Sequence, residues 1–279
     1  MPSLFETLKN WNHHPRKRIG QHFLVNTSIL SRIESSIPWT EVTGMVEVGG
    51  GTGILSERLA ARHLPLWIIE MDDHLFGALK GQFGNQAHVH LIHQDVLKAN
   101  LHDLKPPSID QWTIIGNIPY YLTTPLIFRI LTLFFKDCNN IFFMVQKEVA
   151  DRMMAKVGTK AYGALTLGVQ YFSVPKILFS VPASCFFPPP KVESAFVQLK
   201  LKSDLPLTSR QEKIFFSIIR AIFQSRRKII TNSLKKISSS SENIKKALDQ
   251  MDIHFTSRGE QLSLEQLIRL SVIFDQKNF

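Results

Sequence analysis

Met45-Val46-Glu47-Val48-Gly49-Gly50-Gly51-Thr52-Gly53-Ile54-Leu55-Ser56-Glu57-Arg58-Leu59 is the stretch on which the fold turns. Met45 to Val48 reads as a buried strand. Four of the next five residues are glycine, and a helical pattern from Ile54 to Arg62 begins at once. Glycines there permit a tight turn and let a ligand approach the backbone closely. A dinucleotide loop reads G-x-G-x-x-G, whereas Gly49, Gly51 and Gly53 are spaced G-x-G-x-G, which weakens a pyrophosphate reading.

Outward from this loop, short apolar runs alternate with helical patterns, the signature of a parallel sheet flanked by helices. Leu66 to Ile69, His88 to Ile92, Trp112 to Ile115 and Ile141 to Val145 read as successive strands. Leu165 to Phe172 and Ala195 to Leu201 are two more strand candidates, joined through the proline-rich loop Pro182 to Pro190. With no helix-sized segment between them, that pair is expected to be antiparallel. The expected class is α/β, a Rossmann-like sheet with an antiparallel hairpin at one edge. After Pro206 the character changes. Thr208-Ser209-Arg210-Gln211 opens a helix as a capping box, Ser263-Leu264-Glu265-Gln266 opens another, and the serine run Ser238 to Ser241 reads as a loop. The expected domains are therefore residues 1–206, catalytic and headed by a basic arm (Met1 to Gly20), and residues 207–279, a small C-terminal helical domain.

The chain has 279 residues, 44% hydrophobic and 20% charged, which excludes extensive disorder. Arg129 breaks the best apolar run, Pro125 to Phe135; no leader is expected, since the first residues are not basic-then-apolar and include Glu6; and the two cysteines, Cys138 and Cys185, have no ligand-like spacing. A reduced cytoplasm, no membrane and no obligate oligomer are expected. The net charge of +10 favours a polyanionic partner. Its placement says more: Lys200 to Lys236 holds ten Lys/Arg against Asp204 and Glu212, and Arg16-Lys17-Arg18 forms a second cluster.

Two acids accompany the glycine loop. Glu70 ends the second strand, where α/β cofactor sites place a carboxylate for ribose hydroxyls, and Asp95 follows the third, within reach of an adenine amino group. Asn117-Ile118-Pro119-Tyr120 then follows the fourth strand. An exocyclic adenine amine is a poor nucleophile because its lone pair is delocalised into the ring. The Asn117 side-chain carbonyl and a backbone carbonyl beside Pro119 supply two acceptors for its N–H bonds, which returns electron density to nitrogen. Pro119 fixes the backbone, and Tyr120 offers a face on which an extruded base stacks. A newly methylated amine is acidic enough to lose its proton to water, so no general base is required.

At this point the sequence resembles a known family. Arg16 to Leu24, the glycine loop, Asn117 to Tyr120, Met144 to Met153, Tyr162-Gly163-Ala164-Leu165, Pro188 to Ala195, Arg226-Arg227-Lys228 and Asn232-Ser233-Leu234 are similar to the ribosomal RNA adenine dimethyltransferases, most closely their small-subunit branch. The resemblance implies a seven-stranded class I methyltransferase sheet, S-adenosylmethionine as cofactor, and a helical RNA-binding domain. It implies dimethylation of the N6 amines of two adjacent adenines in the 3′-terminal hairpin loop of small-subunit (16S) rRNA, with the immature small subunit as partner. Carried over, His22, Leu24 and Gly49 contact the cofactor, Glu70 takes its ribose and Asp95 its adenine. Asn117 lies between cofactor and target amine, and Phe186 stacks on the target base opposite Tyr120. Three positions depart from the family pattern: His22 stands for a frequent Asn, Gly50 for a frequent Pro, which is expected to loosen the loop, and Ile118 for the usual Leu. Ile118 is common in the related large-subunit (23S) enzymes of macrolide resistance, which are the nearest alternative. A mainly non-catalytic ribosome-assembly factor is a third. No metal is expected, because His88 and His90 share a strand face that His93 does not.

Overall fold

The computed structural model describes residues 21–224, 228–238 and 240–276. Its strands are β1 (Phe23–Leu24), β2 (Gly44–Val48), β3 (Leu66–Glu70), β4 (Val89–His93), β5 (Trp112–Gly116), β6 (Cys138–Gln146), β7 (Ser173–Val181), β8 (Phe186–Phe187) and β9 (Ser194–Leu201). Seven of them form one sheet, ordered β4-β3-β2-β5-β6-β9-β7, and β1 pairs with β8 in a separate two-stranded ladder. The pairs β2–β3, β2–β5, β3–β4 and β5–β6 are parallel, and β6–β9 is antiparallel. The first five sheet strands match the expected ones to within a few residues.

The order places the functional end of the sheet. From β2 the chain steps outward through β3 to β4, then returns to the other side of β2 to lay down β5. The helices that follow β2 and β5 therefore diverge, and a crevice opens at the carboxyl ends of these two central strands, where open α/β sheets take their ligands. All five residues of each of β2, β3 and β5 are buried, which explains why they read as continuous apolar runs.

Gly116, the last residue of β5, keeps the crevice narrow. A Cβ there would stand 2.5 Å from the Val48 carbonyl oxygen of the neighbouring strand. Backbone cannot yield as a flexible side chain does. Gly116→Ala is expected to destabilise the fold by about 1–3 kcal/mol, an overpacking cost, read as a lower denaturant midpoint at unchanged slope. A midpoint equal to wild type would show that β2 and β5 are free to separate.

One strand assignment is corrected. Residues 165–172 lie in a helix, Ala164–Phe172, in which seven of nine residues are buried. An apolar run buried nearly all round carries no period by which to tell helix from strand. Its start is fixed by the Thr166 hydroxyl, which accepts from Gly163 N at 3.1 Å and donates to Arg152 O at 2.6 Å. The missing strand is β7, which comes next and contains Pro175. Proline speaks against a central strand, but β7 is the outermost of the sheet, where the missing N–H is tolerated.

The chain divides into two compact units, residues 1–150 with 175–201, and residues 151–174 with 202–279. The second therefore takes in the Ala164–Phe172 helix as well as the C-terminal helices, and its boundary falls slightly before the expected 206/207. It includes the helices Ser209–Phe223, Ile230–Leu234, Ser241–Asp249 and Leu264–Gln276. Thr208 and Gln211 form the expected capping box, and Ser263 and Gln266 exchange the same pair of bonds. Within the serine run, Ser240 caps the Ser241–Asp249 helix. Tyr171 and Phe172 pack on Phe215 and Phe216, with ring centroids 4.8 to 5.9 Å apart. By sequence this unit holds 17 Lys/Arg against nine Asp/Glu, a balance of +8 out of the chain's +10. Arg16 to Arg18, Arg226 and Arg227 lie outside the described residues. No helix among the described residues is long and apolar enough to cross a membrane.

Candidate active site

The loop after β2 has Gly49, Gly51 and Gly53 at φ of 75°, 56° and 80°, a left-handed backbone that side chains disfavour. Gly53 caps the helix Ile54–Ala60. Gly50 differs. A Cβ on it would stand 2.5 Å from Ile68 Cγ2 and 2.8 Å from Leu79 Cδ1. The expectation that glycine in place of proline loosens the loop is not what the packing gives, since Gly50 is enclosed by apolar side chains of β3 and the following helix.

Glu70 pins this loop. Its Oε2 accepts from Gly51 N at 2.9 Å, and its Oε1 accepts from Met71 N at 2.8 Å and Asp72 N at 2.9 Å. A carboxylate has about four acceptor positions. Three are taken by backbone, so roughly one remains for a ligand hydroxyl. Asp95 lies in the same crevice, its Oδ1 accepting from Leu97 N at 2.9 Å. Its Oδ2 has no hydrogen-bond partner among the described residues.

Glu47, just before the glycine loop, is a site residue that the sequence pattern alone does not single out. It is 1% exposed on β2, it lines the crevice, and its Oε2 has no hydrogen-bond partner among the described residues. Burial, with the Glu70 charge adding to it, pushes its carboxyl up to about 8, and nearby Ser56 only partly opposes this. The acid is therefore largely neutral at pH 7. Only a strand residue pointing inward, knowable once the sheet faces are assigned, would have singled it out.

On the other lip stands Asn117, half-buried, with its backbone carbonyl oxygen 4.0 Å from where a Gly49 Cβ would be. Its Nδ2 donates to the His22 carbonyl at 2.9 Å. A carbonyl only accepts, so the amide must turn its NH₂ toward His22, and Oδ1 faces the other way. The Pro119 carbonyl accepts from Leu122 N at 2.9 Å, closing the turn Tyr120–Leu122. The Ile118 carbonyl has no donor among the described residues.

The arm strand joins these parts. Phe23 and Leu24 of β1 pair with Phe187 and Phe186 of β8. His22 turns its ring toward that loop, Nδ1 lying 2.6 Å from the Pro188 carbonyl, while its ring centroid is 5.6 Å from that of Tyr120. His22, Leu24, Gly49, Glu70, Asp95, Asn117 and Pro119 all line one crevice. Phe186 does not. Its ring is 3% exposed and packed in the core, so the expected stacking face opposite Tyr120 is not open. On a strand alternate side chains face opposite ways, and Phe187 is the more exposed of the pair, packing beside Phe23.

A model of the family described as ribosomal RNA adenine dimethylase matches residues 12–276. The chain belongs to that family. It is 37% identical to the ribosomal RNA small subunit methyltransferase A of Geobacillus thermodenitrificans over 95% of this chain and 93% of the relative. The protein of the same name from Enterococcus faecalis is 38% identical over 95% and 92%. Among solved structures, a dimethyladenosine transferase from Plasmodium falciparum has the same fold, with a TM-score of 0.76 at 24% identity over 92% of this chain and 99% of that one. The 23S rRNA methyltransferase ErmE also shares it, at 0.67 and 23% over 91% and 100%. As a family member the chain is an S-adenosylmethionine-dependent methyltransferase acting on adenine of ribosomal RNA.

His88, His90 and His93 have separate partners. His88 Nε2 lies 2.9 Å from the Ala60 carbonyl, His90 stacks on Trp67, and His93 stacks on Phe76 with its Nε2 3.2 Å from Asp73.

Proposed function

We propose that this enzyme dimethylates the N6 amines of two adjacent adenines in the 3′-terminal hairpin loop of small-subunit rRNA, acting on the immature small subunit in the cytoplasm as a monomer. The observation that carries the chemistry is the orientation of the Asn117 amide. With Nδ2 committed to His22, Oδ1 accepts one N6–H of the target, and the Ile118 carbonyl, left without a donor among the described residues, accepts the other. Together they hold the amine with its lone pair aimed at the crevice floor. Tyr120 supports the base. The choice of small subunit is supported by relatives at 36–38% identity that carry that name, and the positive balance of the second unit supports giving it the RNA.

The crevice suits the cofactor by its own donor set. A buried, unpartnered carboxyl oxygen of Glu47 beside a glycine turn calls for a cationic group, and Glu70 keeps about one acceptor position for a hydroxyl. When bound, S-adenosylmethionine supplies a methyl group made electrophilic by its sulfonium. Around it, His22, Leu24 and Gly49 would wall the ligand, Glu70 would take the ribose, and Asp95 Oδ2 would accept from the adenine amine. The amine's proton leaves to water after transfer.

Glu47 gives this arrangement a pH dependence. Its folded pKa is raised from 4.5 to about 8, so the folded chain holds a proton that the unfolded chain has lost. Stability is therefore expected to fall as pH rises from 4.5 toward 8. A cationic ligand favours the ionised acid, so cofactor affinity should rise over roughly pH 6–8 with release of a proton. Glu47→Gln should flatten that rise in calorimetric titrations. An equal pH slope in both proteins would exclude Glu47 as the titrating group.

The functional assignment is tested by incubating the protein with labelled donor and under-methylated small subunits or large subunits. Label in small subunits alone is expected. Label in large subunits, with macrolide resistance on expression in a sensitive host, would move the enzyme to the other branch.

A further inference from the structure

Tyr120 is held from behind by a residue that the chemistry above does not use. Its phenolic oxygen lies 2.6 Å from Ser194 Oγ. Ser194 is fully buried and opens β9, where it pairs with Gln146 of β6 in the antiparallel ladder. The residue before it is fastened too, since the Glu193 carbonyl accepts from Lys147 N at 3.0 Å. The serine oxygen is thus fixed by strand pairing on one of the longest strands of the sheet. Tyr120 itself sits in a single turn of three residues outside the sheet. Beyond Ser194, its ring meets the imidazole of His22 with planes inclined at 32°. The hydrogen bond is the directional restraint on the ring, because a ring contact at 5.6 Å leaves rotation about the side-chain torsions open.

We propose that Ser194 is a positioning residue for methyl transfer: its hydroxyl ties the Tyr120 ring to the sheet and so sets the face on which the target adenine rests relative to Asn117. The inference rests on the reading above that the base stacks on Tyr120. Asn117 aims the amine only if the base plane is correctly placed, and Tyr120 is three residues further along the same segment. Reaction rates fall steeply when reacting atoms leave the near-attack arrangement, by as much as roughly a hundredfold for a displacement of about 1 Å. Ser194 touches neither base nor cofactor in this scheme, so its removal should slow transfer and leave cofactor binding alone.

The test is a mutant cycle on Ser194→Ala and Tyr120→Phe, read by single-turnover methyl transfer to under-methylated small subunits, cofactor Kd and melting temperature. Each variant removes the same hydrogen bond from a different side. Each is expected to lower the single-turnover rate about tenfold with cofactor Kd within about twofold of wild type, and the double variant should be no slower than either single. Ser194→Thr, which keeps the hydroxyl, should recover part of the rate. An unchanged rate in Ser194→Ala, single losses that multiply in the double variant, or an effect confined to cofactor Kd would each overturn the proposal. If Ser194→Ala melts too low to assay, Tyr120→Phe decides alone, since the phenyl ring still fills the site. Tyr120→Leu separates the two layers of the argument. Full activity in that variant would sink the stacking reading itself, whereas a slow Tyr120→Leu beside a fast Tyr120→Phe would sink only the role of Ser194.

Discussion

Asn117→Ala is expected to slow single-turnover methyl transfer by about 10²–10³-fold, the range found when one preorganised hydrogen-bonding group at a reacting centre is removed. The amine then keeps one fixed acceptor, the Ile118 carbonyl, and its lone pair returns toward the ring. Cofactor Kd should change only a few-fold, because in the proposed arrangement Asn117 would meet the cofactor only at its edge. Asn117→Asp is the sharper variant. It retains two acceptor oxygens, yet one of them would face the His22 carbonyl, which in the wild type accepts from the amide at 2.9 Å. Two oxygens repel there, and the side chain must rotate or take up a proton. The aspartate variant should therefore be no faster than the alanine. If the Asn117→Asp variant kept more than about a tenth of wild-type activity, acceptor chemistry alone would suffice and the amide's orientation would not matter.

Glu70→Ala is expected to weaken cofactor binding about 10- to 100-fold and lower the melting temperature together. Charge-assisted hydrogen bonds contribute about 1.5–3 kcal/mol each, and this carboxylate accepts three backbone N–H groups. The two effects are linked through Gly51, whose N–H loses its partner just where the loop should present its backbone to the ligand. Met71 is 50% exposed, so water can replace the carboxylate at its N–H, and that bond should matter least. Glu70→Gln should fall between, since an amide keeps a single acceptor oxygen for donors that now approach both ends. A cofactor Kd unchanged in Glu70→Ala would show that the ribose is held elsewhere.

The central parallel strands β2, β3 and β5 were legible because each is a short run buried on both faces, bounded by glycine or polar turns. The residues 164–181 were not. There a helix buried on nearly every side precedes an edge strand carrying Pro175, so local pattern pointed the wrong way twice. Glu70, Asp95 and Asn117 were recognisable from their place after successive strands, and the fold brings them to one crevice. What the sequence did not disclose depends on partners far along the chain. The Asn117–His22 bond spans 95 residues, the His22–Pro188 contact 166, and the Tyr120–Ser194 bond 74. Phe186 illustrates the same limit from the other side, since its motif position fits a stacking role while its burial depends on which face of β8 meets the core.

The central claim is best tested by mapping modified nucleotides by mass spectrometry in small-subunit rRNA from cells lacking this gene, complemented with the wild-type protein or Asn117→Ala. N6,N6-dimethyladenine is expected at two adjacent positions of the 3′-terminal hairpin loop with the wild type, and unmodified adenines with the variant. Dimethylation restored by Asn117→Ala, or wild-type modification found only in large-subunit rRNA, would contradict it.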